Sequence, residues 1–93
     1  MTSIAVVILN FNGSSLLKKF LPSVIQHSQG AEVIVTDNGS TDDSLVVLTK
    51  EFPSIRLIRI STNLGFCGGY NFALRQIQAD YYVLINSDID GLQ

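Results

Sequence analysis

The run Ile4-Ala5-Val6-Val7-Ile8-Leu9 constrains the fold of this chain more than any other feature. It is too short for a buried helix, rich in β-branched side chains, and has no polar face to turn to water. Such a run folds as a strand covered on both faces, as in the middle of a parallel α/β sheet. Three further runs follow. Glu32-Val33-Ile34-Val35-Thr36-Asp37 is the second strand and ends on a carboxylate. Ile55-Arg56-Leu57-Ile58-Arg59-Ile60 is the third, and its two arginines predict an edge position. Tyr81-Tyr82-Val83-Leu84-Ile85 is the fourth; Asn86-Ser87-Asp88 and Asp90 follow it at once.

The intervening segments read as helices. Leu16, Leu17, Phe20, Leu21, Val24 and Ile25 recur at helical spacing after a Ser14 or Ser15 cap. Pro22 lies inside that stripe and predicts a kink or 3₁₀ turn near Leu21. Gly30 ends the element in a left-handed conformation. Ser40 and Asp43 resemble a capping box for a second helix, with Leu45, Leu48, Thr49 and Phe52 inward and Pro53 as its stop. A third helix is expected over residues 68–78, with Phe66, Tyr70, Ala73, Leu74 and Ile77 on one side.

The order β-α-β-α-β-α-β implies an α/β fold, a Rossmann-like three-layer sandwich with a parallel sheet of about four strands. Right-handed crossovers favour the order 3-2-1-4. In such sheets ligands bind outside the carboxyl ends of the strands where the chain order reverses, here between strands one and four. That point brings Asn10-Phe11-Asn12-Gly13 beside Asn86-Ser87-Asp88, with Asp37-Asn38-Gly39-Ser40 one strand away and Asn63-Leu64-Gly65-Phe66-Cys67-Gly68-Gly69 beyond it.

The 93 residues form one domain. The charged fraction, 15%, is low against a typical ~25%, which suggests a surface covered by something else. A net charge of -2 gives no reason to expect nucleic acid or an anionic membrane as partner. The single cysteine excludes an internal disulfide. Without a signal segment or a membrane-length apolar run, the expected location is cytoplasmic, with attachment at the inner face of the membrane through other segments left open.

The four polar loops form a coherent kit for a nucleotide. Phe11 could lie against a base, and Asp37 could accept from a base N–H or a ribose hydroxyl. The glycines let backbone approach the ligand, and Asp88 could hold a divalent cation beside a diphosphate. Plainer roles exist for each: an Asx-turn for Asp37, an ordinary turn for 86–88, solvent for Asp90, helix-end carbonyls for His27 and packing for Cys67. Neither the dinucleotide fingerprint nor a P-loop is present.

Val7-Ile8-Leu9-Asn10-Phe11-Asn12-Gly13, Val33-Ile34-Val35-Thr36-Asp37-Asn38-Gly39-Ser40-Thr41-Asp42, Asn63-Leu64-Gly65-Phe66-Cys67-Gly68-Gly69-Tyr70-Asn71 and Leu84-Ile85-Asn86-Ser87-Asp88 together resemble the family 2 glycosyltransferases of the GT-A fold, most closely the bacterial rhamnosyltransferase-like members. The resemblance implies an enzyme of cell-wall or polysaccharide biosynthesis. It would carry out inverting transfer from a UDP-, dTDP- or GDP-linked sugar to a glycan or other acceptor, with Mg²⁺ or Mn²⁺. It places Asn10, Phe11, Asn12, Asp37, Asn38, Asn63, Gly65 and Asn86 around the nucleotide and makes Asp88 the metal ligand. Asn86 stands where some relatives carry a first acid, and Cys67 where alanine is common. Relatives are longer, so the expectation is a donor-binding subdomain spanning residues 1–93, with no catalytic base of its own and an acceptor site elsewhere, inactive alone. The alternatives are a non-catalytic module that binds nucleotide or assembles, as a homodimer for example, through the exposed edge of the fourth strand, and a sugar nucleotidyltransferase. The latter would want an Arg/Lys-bearing glycine-rich loop after strand one, and only Gly13 is there.

Overall fold

In the computed structural model, residues 2–87 are described. Asp88, the expected metal ligand, and Asp90, expected to face solvent, lie outside them. β1 (Ile4–Asn10) runs through the middle of a four-stranded parallel sheet, between β2 (Glu32–Asn38) and β4 (Tyr81–Asn86), with β3 (Arg56–Ile60) beyond β2. The order β3-β2-β1-β4 is the one the sequence predicts, and β3 is an edge.

Alternation along the strands builds two cores. Val6, Ile8, Val33 and Val35 pack with Leu17 and Leu21 of α1 (Ser14–His27) and Leu48 of α2 (Ser44–Glu51). Ala5, Val7, Leu9, Ile34 and Ile58 face the other way, onto Tyr70 and Ala73 of α3 (Gly65–Leu74) and onto Ile77. β1 therefore carries apolar side chains on both faces because helices cover both. At the amino edge of the sheet, the carbonyl of Ser3 accepts the N–H groups of Asp80 (3.0 Å) and Tyr81 (3.1 Å), which sets the β1–β4 register.

Several local expectations are corrected. Pro22 does not interrupt α1, which is helical from Ser14 to His27. It sits on the exposed side, where water can take the Lys18 carbonyl, while Leu17 and Leu21 anchor the buried side. Neither Ser14 nor Ser15 caps this helix; Gly13 is the cap residue. Ser40 and Asp43 form no capping box, because the Ser40 hydroxyl is bonded to Asp37 and α2 starts only at Ser44. The inner face of α2 is Ser44, Val47 and Leu48, whereas Thr49 is exposed and donates its hydroxyl to the Leu45 carbonyl at 2.9 Å.

α3 begins and ends earlier than its sequence pattern suggests. Its start is fixed by the preceding loop. At its end the Gln76 and Ile77 N–H groups turn back to the Ala73 and Leu74 carbonyls three residues earlier, at 2.9 and 3.4 Å, and beyond the helix Arg56 donates to the Gln76 carbonyl and the Tyr82 hydroxyl to the Ile77 carbonyl, both at 2.8 Å. Cys67 is exposed rather than packed, and Phe66, though largely exposed, lies on the Tyr70 side as expected. Gly30 does adopt a positive φ of 89°, but α1 already ends at His27 with Ser28 as its cap, so the glycine shapes the turn into β2 and does not close the helix. His27 contacts the Ser23 carbonyl through Nδ1 at 2.8 Å, as expected for a helix end.

Tyr70 is buried against β1 and meets Phe66 edge-to-face, with ring centroids 5.1 Å apart. Burial pushes its phenol up to about 12, a rise that a backbone hydrogen bond at Leu9 only partly offsets. Folding thus favours the neutral phenol. The stabilisation is fully present below the unfolded value of about 10 and is lost as pH rises through about 12. Urea unfolding measured from pH 8 to 12 should show stability falling above about pH 10, and Tyr70→Phe should reduce that fall.

Candidate functional site

All four strands end at the same edge, and their final residues form a polar row across the sheet. Asn10 of β1 is opposite Asp37 of β2, which is opposite Arg59 of β3. Leu9 is opposite Asn86, and the Leu9 carbonyl accepts the Ser87 N–H at 2.9 Å, extending the β1–β4 ladder one residue past β4. Asn10 is fully buried and joins three strands: its Nδ2 donates to Asp37 Oδ1 (2.9 Å), and its Oδ1 accepts the Ser87 hydroxyl (2.8 Å). A side chain of any size at Gly13 would put its Cβ 2.6 Å from that Oδ1, so the turn after β1 packs directly on the amide.

Asp37 is also buried. Oδ1 takes the Ser40 hydroxyl at 2.6 Å and Oδ2 the Ser40 N–H at 3.1 Å, the Asx-type turn considered above as the plainer role. The Ser40 oxygen in turn accepts the Asn12 N–H at 2.9 Å and Asn10 Nδ2 at 3.3 Å. Asn12 sits at a φ of 52°, a left-handed conformation asparagine tolerates. Its Oδ1 accepts the N–H groups of Thr41 (2.7 Å) and Asp42 (3.1 Å). Asp42 completes the joint between the first two loops. Its carboxylate accepts the first N–H of α1, from Ser14 (3.2 Å), and the first of α2, from Ser44 (2.9 Å), so one side chain caps two helices. Burial alone would raise the Asp42 carboxyl, but the hydrogen bonds from Ser44 and Ser14 outweigh it and hold the group below the usual aspartate range.

A second set organises the loop after β3. Asn38, also buried, accepts the Leu64 N–H (2.9 Å) and donates to Asn63 Oδ1 (3.1 Å) and to the Gly65 carbonyl (3.0 Å), while Asn63 Oδ1 accepts the Gly65 N–H (2.7 Å). Gly39, at a φ of 77°, brings the backbone of the two loops together: a Cβ there would lie 2.5 Å from the Asn63 nitrogen.

The residues expected around a nucleotide therefore divide by geometry. Asn10, Asn12 and Asn38 commit their amides to neighbouring loops and strands. Phe11, Asn63 and Gly65 are exposed at the rim, and Asn86 ends β4 half-buried. Asp37 borders a cavity of about 400 Å³ whose other walls are Gly39, Ser40, Leu45, Arg59, Ile60 and Ser61; Phe11 and Asn63 are not among the lining residues. Sequence reasoning missed Ser40 and Ser87 as partners of the row, Asp42 as a double cap, and Arg59 as a wall of the cavity. The register would have exposed Arg59, because residues in register on neighbouring strands share a face. Among the described residues no three metal-binding side chains come together, and no helix is long and apolar enough to cross a membrane.

Replacing Asn10 by alanine should remove one of the two donors to the buried Asp37 Oδ1, which keeps the Ser40 hydroxyl, and leave the buried Ser87 hydroxyl without its acceptor. A loss of about 1–3 kcal/mol in chemical denaturation is expected, with the circular dichroism spectrum retained at low denaturant.

Comparison with known proteins agrees with this architecture. The family profile described as glycosyl transferase family 2 matches residues 5–89. An uncharacterised glycosyltransferase of Bacillus subtilis (strain 168) is 37% identical over 90 residues, covering 91% of this chain and 23% of that protein. The N-acetylglucosaminyl-diphospho-decaprenol L-rhamnosyltransferase of Mycobacterium tuberculosis (strain ATCC 25618 / H37Rv) is 29% identical over 73 residues, covering 77% of this chain and 24% of that protein. The chain thus spans about a quarter of the length of these relatives. Among solved structures, glucosyl-3-phosphoglycerate synthase from Mycobacterium tuberculosis, in complex with Mn²⁺, UDP and glucosyl-3-phosphoglycerate, superposes with a TM-score of 0.78 at 23% identity, over 92% of this chain and 33% of that one. A mannosyltransferase from Pyrobaculum calidifontis, in complex with GDP-Man and Mn²⁺, gives 0.76 at 22% identity, over 94% and 28%. These likenesses at low identity show the GT-A fold, and the profile match shows the lineage: the chain belongs to glycosyl transferase family 2.

Proposed function

We propose that this chain binds the nucleotide of a sugar donor for an inverting glycosyl transfer. The observation that carries the reading is the hydrogen-bonded row Ser87–Asn10–Asp37, which ties the carboxyl ends of β4, β1 and β2 into one rigid edge where the strand order reverses. The neighbours crystallised with UDP or GDP-Man and Mn²⁺ support the same class of ligand. In this reading Phe11, Asn63, Gly65 and Asn86 meet the nucleotide and Asp37 its base, while Asn10, Asn12 and Asn38 hold those groups in place. Asp88, next in sequence after Ser87, supplies the hard oxygen ligand for Mg²⁺ or Mn²⁺. When bound, the cation would neutralise the diphosphate that leaves.

Inverting transfer also needs a carboxylate to take the proton of the attacking acceptor hydroxyl. At this edge Asp37 and Asp42 are both engaged by N–H and O–H donors. The reading therefore assigns that base, and the binding of a glycan acceptor, to protein outside these 93 residues, so that the chain alone binds donor without turnover. Titration calorimetry with UDP, dTDP and GDP should show binding that requires Mn²⁺ or Mg²⁺ and weakens about ten-fold or more in Asp88→Ala. Binding indifferent both to the cation and to Asp88→Ala would remove the metal role.

A second reading, assembly through β4, is favoured by one observation. Tyr81, Tyr82, Val83 and Leu84 are four consecutive exposed residues with large apolar surfaces on a strand that, among the described residues, is paired on one side only. Unpaired edges of this kind recruit another strand, and a second copy of the chain would offer an identical one. Sedimentation equilibrium should then show a dimer that Val83→Lys dissociates; a clean monomer at high concentration would contradict it.

A further inference from the structure

The polar row that begins at Ser87 does not stop at Asp37. Register places Arg59 next in line on the same face of the sheet, yet the chain of hydrogen bonds breaks there. Arg56, three residues earlier on β3, donates to the Gln76 carbonyl at 2.8 Å and approaches Glu32 at 4.0 Å. Arg59 has no hydrogen bond or ion pair with any described residue, although opposite charges in register on adjacent strands attract. The break coincides with the cavity: Asp37 and Arg59 are both on its wall, with Leu45 and Ile60 as apolar sides.

That cavity offers complementary groups. A carboxylate only accepts hydrogen bonds and has about four lone-pair positions. Asn10 and Ser40 fill three on Asp37, leaving one. A guanidinium only donates. A flat ligand between them needs an N–H next to a carbonyl oxygen along one edge, with apolar faces for Leu45 and Ile60.

We infer that Arg59 sets the nucleobase preference of this chain, the gap between Asp37 and Arg59 taking a base edge that gives an N–H to the carboxylate and a carbonyl oxygen to the guanidinium. Uracil, thymine and guanine have that edge. Cytosine and adenine carry a ring-nitrogen acceptor beside an amine donor, which would set lone pair against carboxylate and amine against guanidinium. The inference rests on the donor-nucleotide reading above.

Calorimetry with UDP, GDP, CDP and ADP in the presence of Mn²⁺, on the full chain and on Arg59→Met, separates the two claims. The wild-type chain should bind UDP and GDP about ten-fold or more tighter than CDP and ADP. Arg59→Met should lose most of that ratio while its binding still requires the cation. An unchanged ratio, or an equal loss for all four nucleotides, overturns the role of Arg59 in base choice and leaves the donor reading standing. Failure of all four to bind the wild-type chain overturns both.

Discussion

The carboxyl edge of the sheet depends on one buried amide. Asn10 ends the central strand, where a side chain on this face is sealed from water. An apolar residue there would continue the core but leave the Ser87 hydroxyl without its acceptor and Asp37 with Ser40 alone. The amide supplies a donor on one side and an acceptor on the other. It thereby lets a carboxylate be buried at the end of β2 and pins the chain leaving β4. A buried polar network of this kind is stable only when every member is satisfied, and the members here reach into three of the four loops.

The loops behave as one framework because of this. Asn12, Ser40 and Asp42 tie the turn after β1 to the turn after β2, and Asn38 with Gly39 ties the turn after β2 to the turn after β3. A single carboxylate, Asp42, serves the first N–H of both helices on one face of the sheet, so α1 and α2 are positioned by the same group. The resulting edge is preorganised. Among the described residues, the Phe11 ring and the Asn63–Gly65 turn face outward at this edge, beside the cavity between β2 and β3.

The sheet and its order were legible because β1 has no polar face and the crossovers have one hand. Helix ends were not, because they are set by groups distant in sequence. The first N–H of α1 is taken by Asp42 and not by the serines beside it, and the segment after α3 is held by Arg56 and Tyr82. The polar turns were legible as a collection, and the strand order that gathers them at one edge of the sheet is the expected one. The division of labour within it was hidden. Asparagines 10, 12 and 38 look like ligand contacts in sequence, yet an amide is also the one side chain that can bridge a donor and an acceptor inside a framework. Arg59 was read only as a sign of an edge strand, since its pairing with Asp37 becomes visible only in the register.

The central claim is that the carboxyl edge between β4, β1 and β2 is where this chain meets a nucleotide. Amide chemical-shift mapping by NMR during titration with UDP and Mg²⁺ tests it most directly. The account predicts the largest shifts at Phe11, Ser40, Ser61 and Ser87, with Ser3 and Asp80 at the opposite edge unmoved. Shifts concentrated on Tyr81 to Leu84, or spread evenly over the chain, would contradict it.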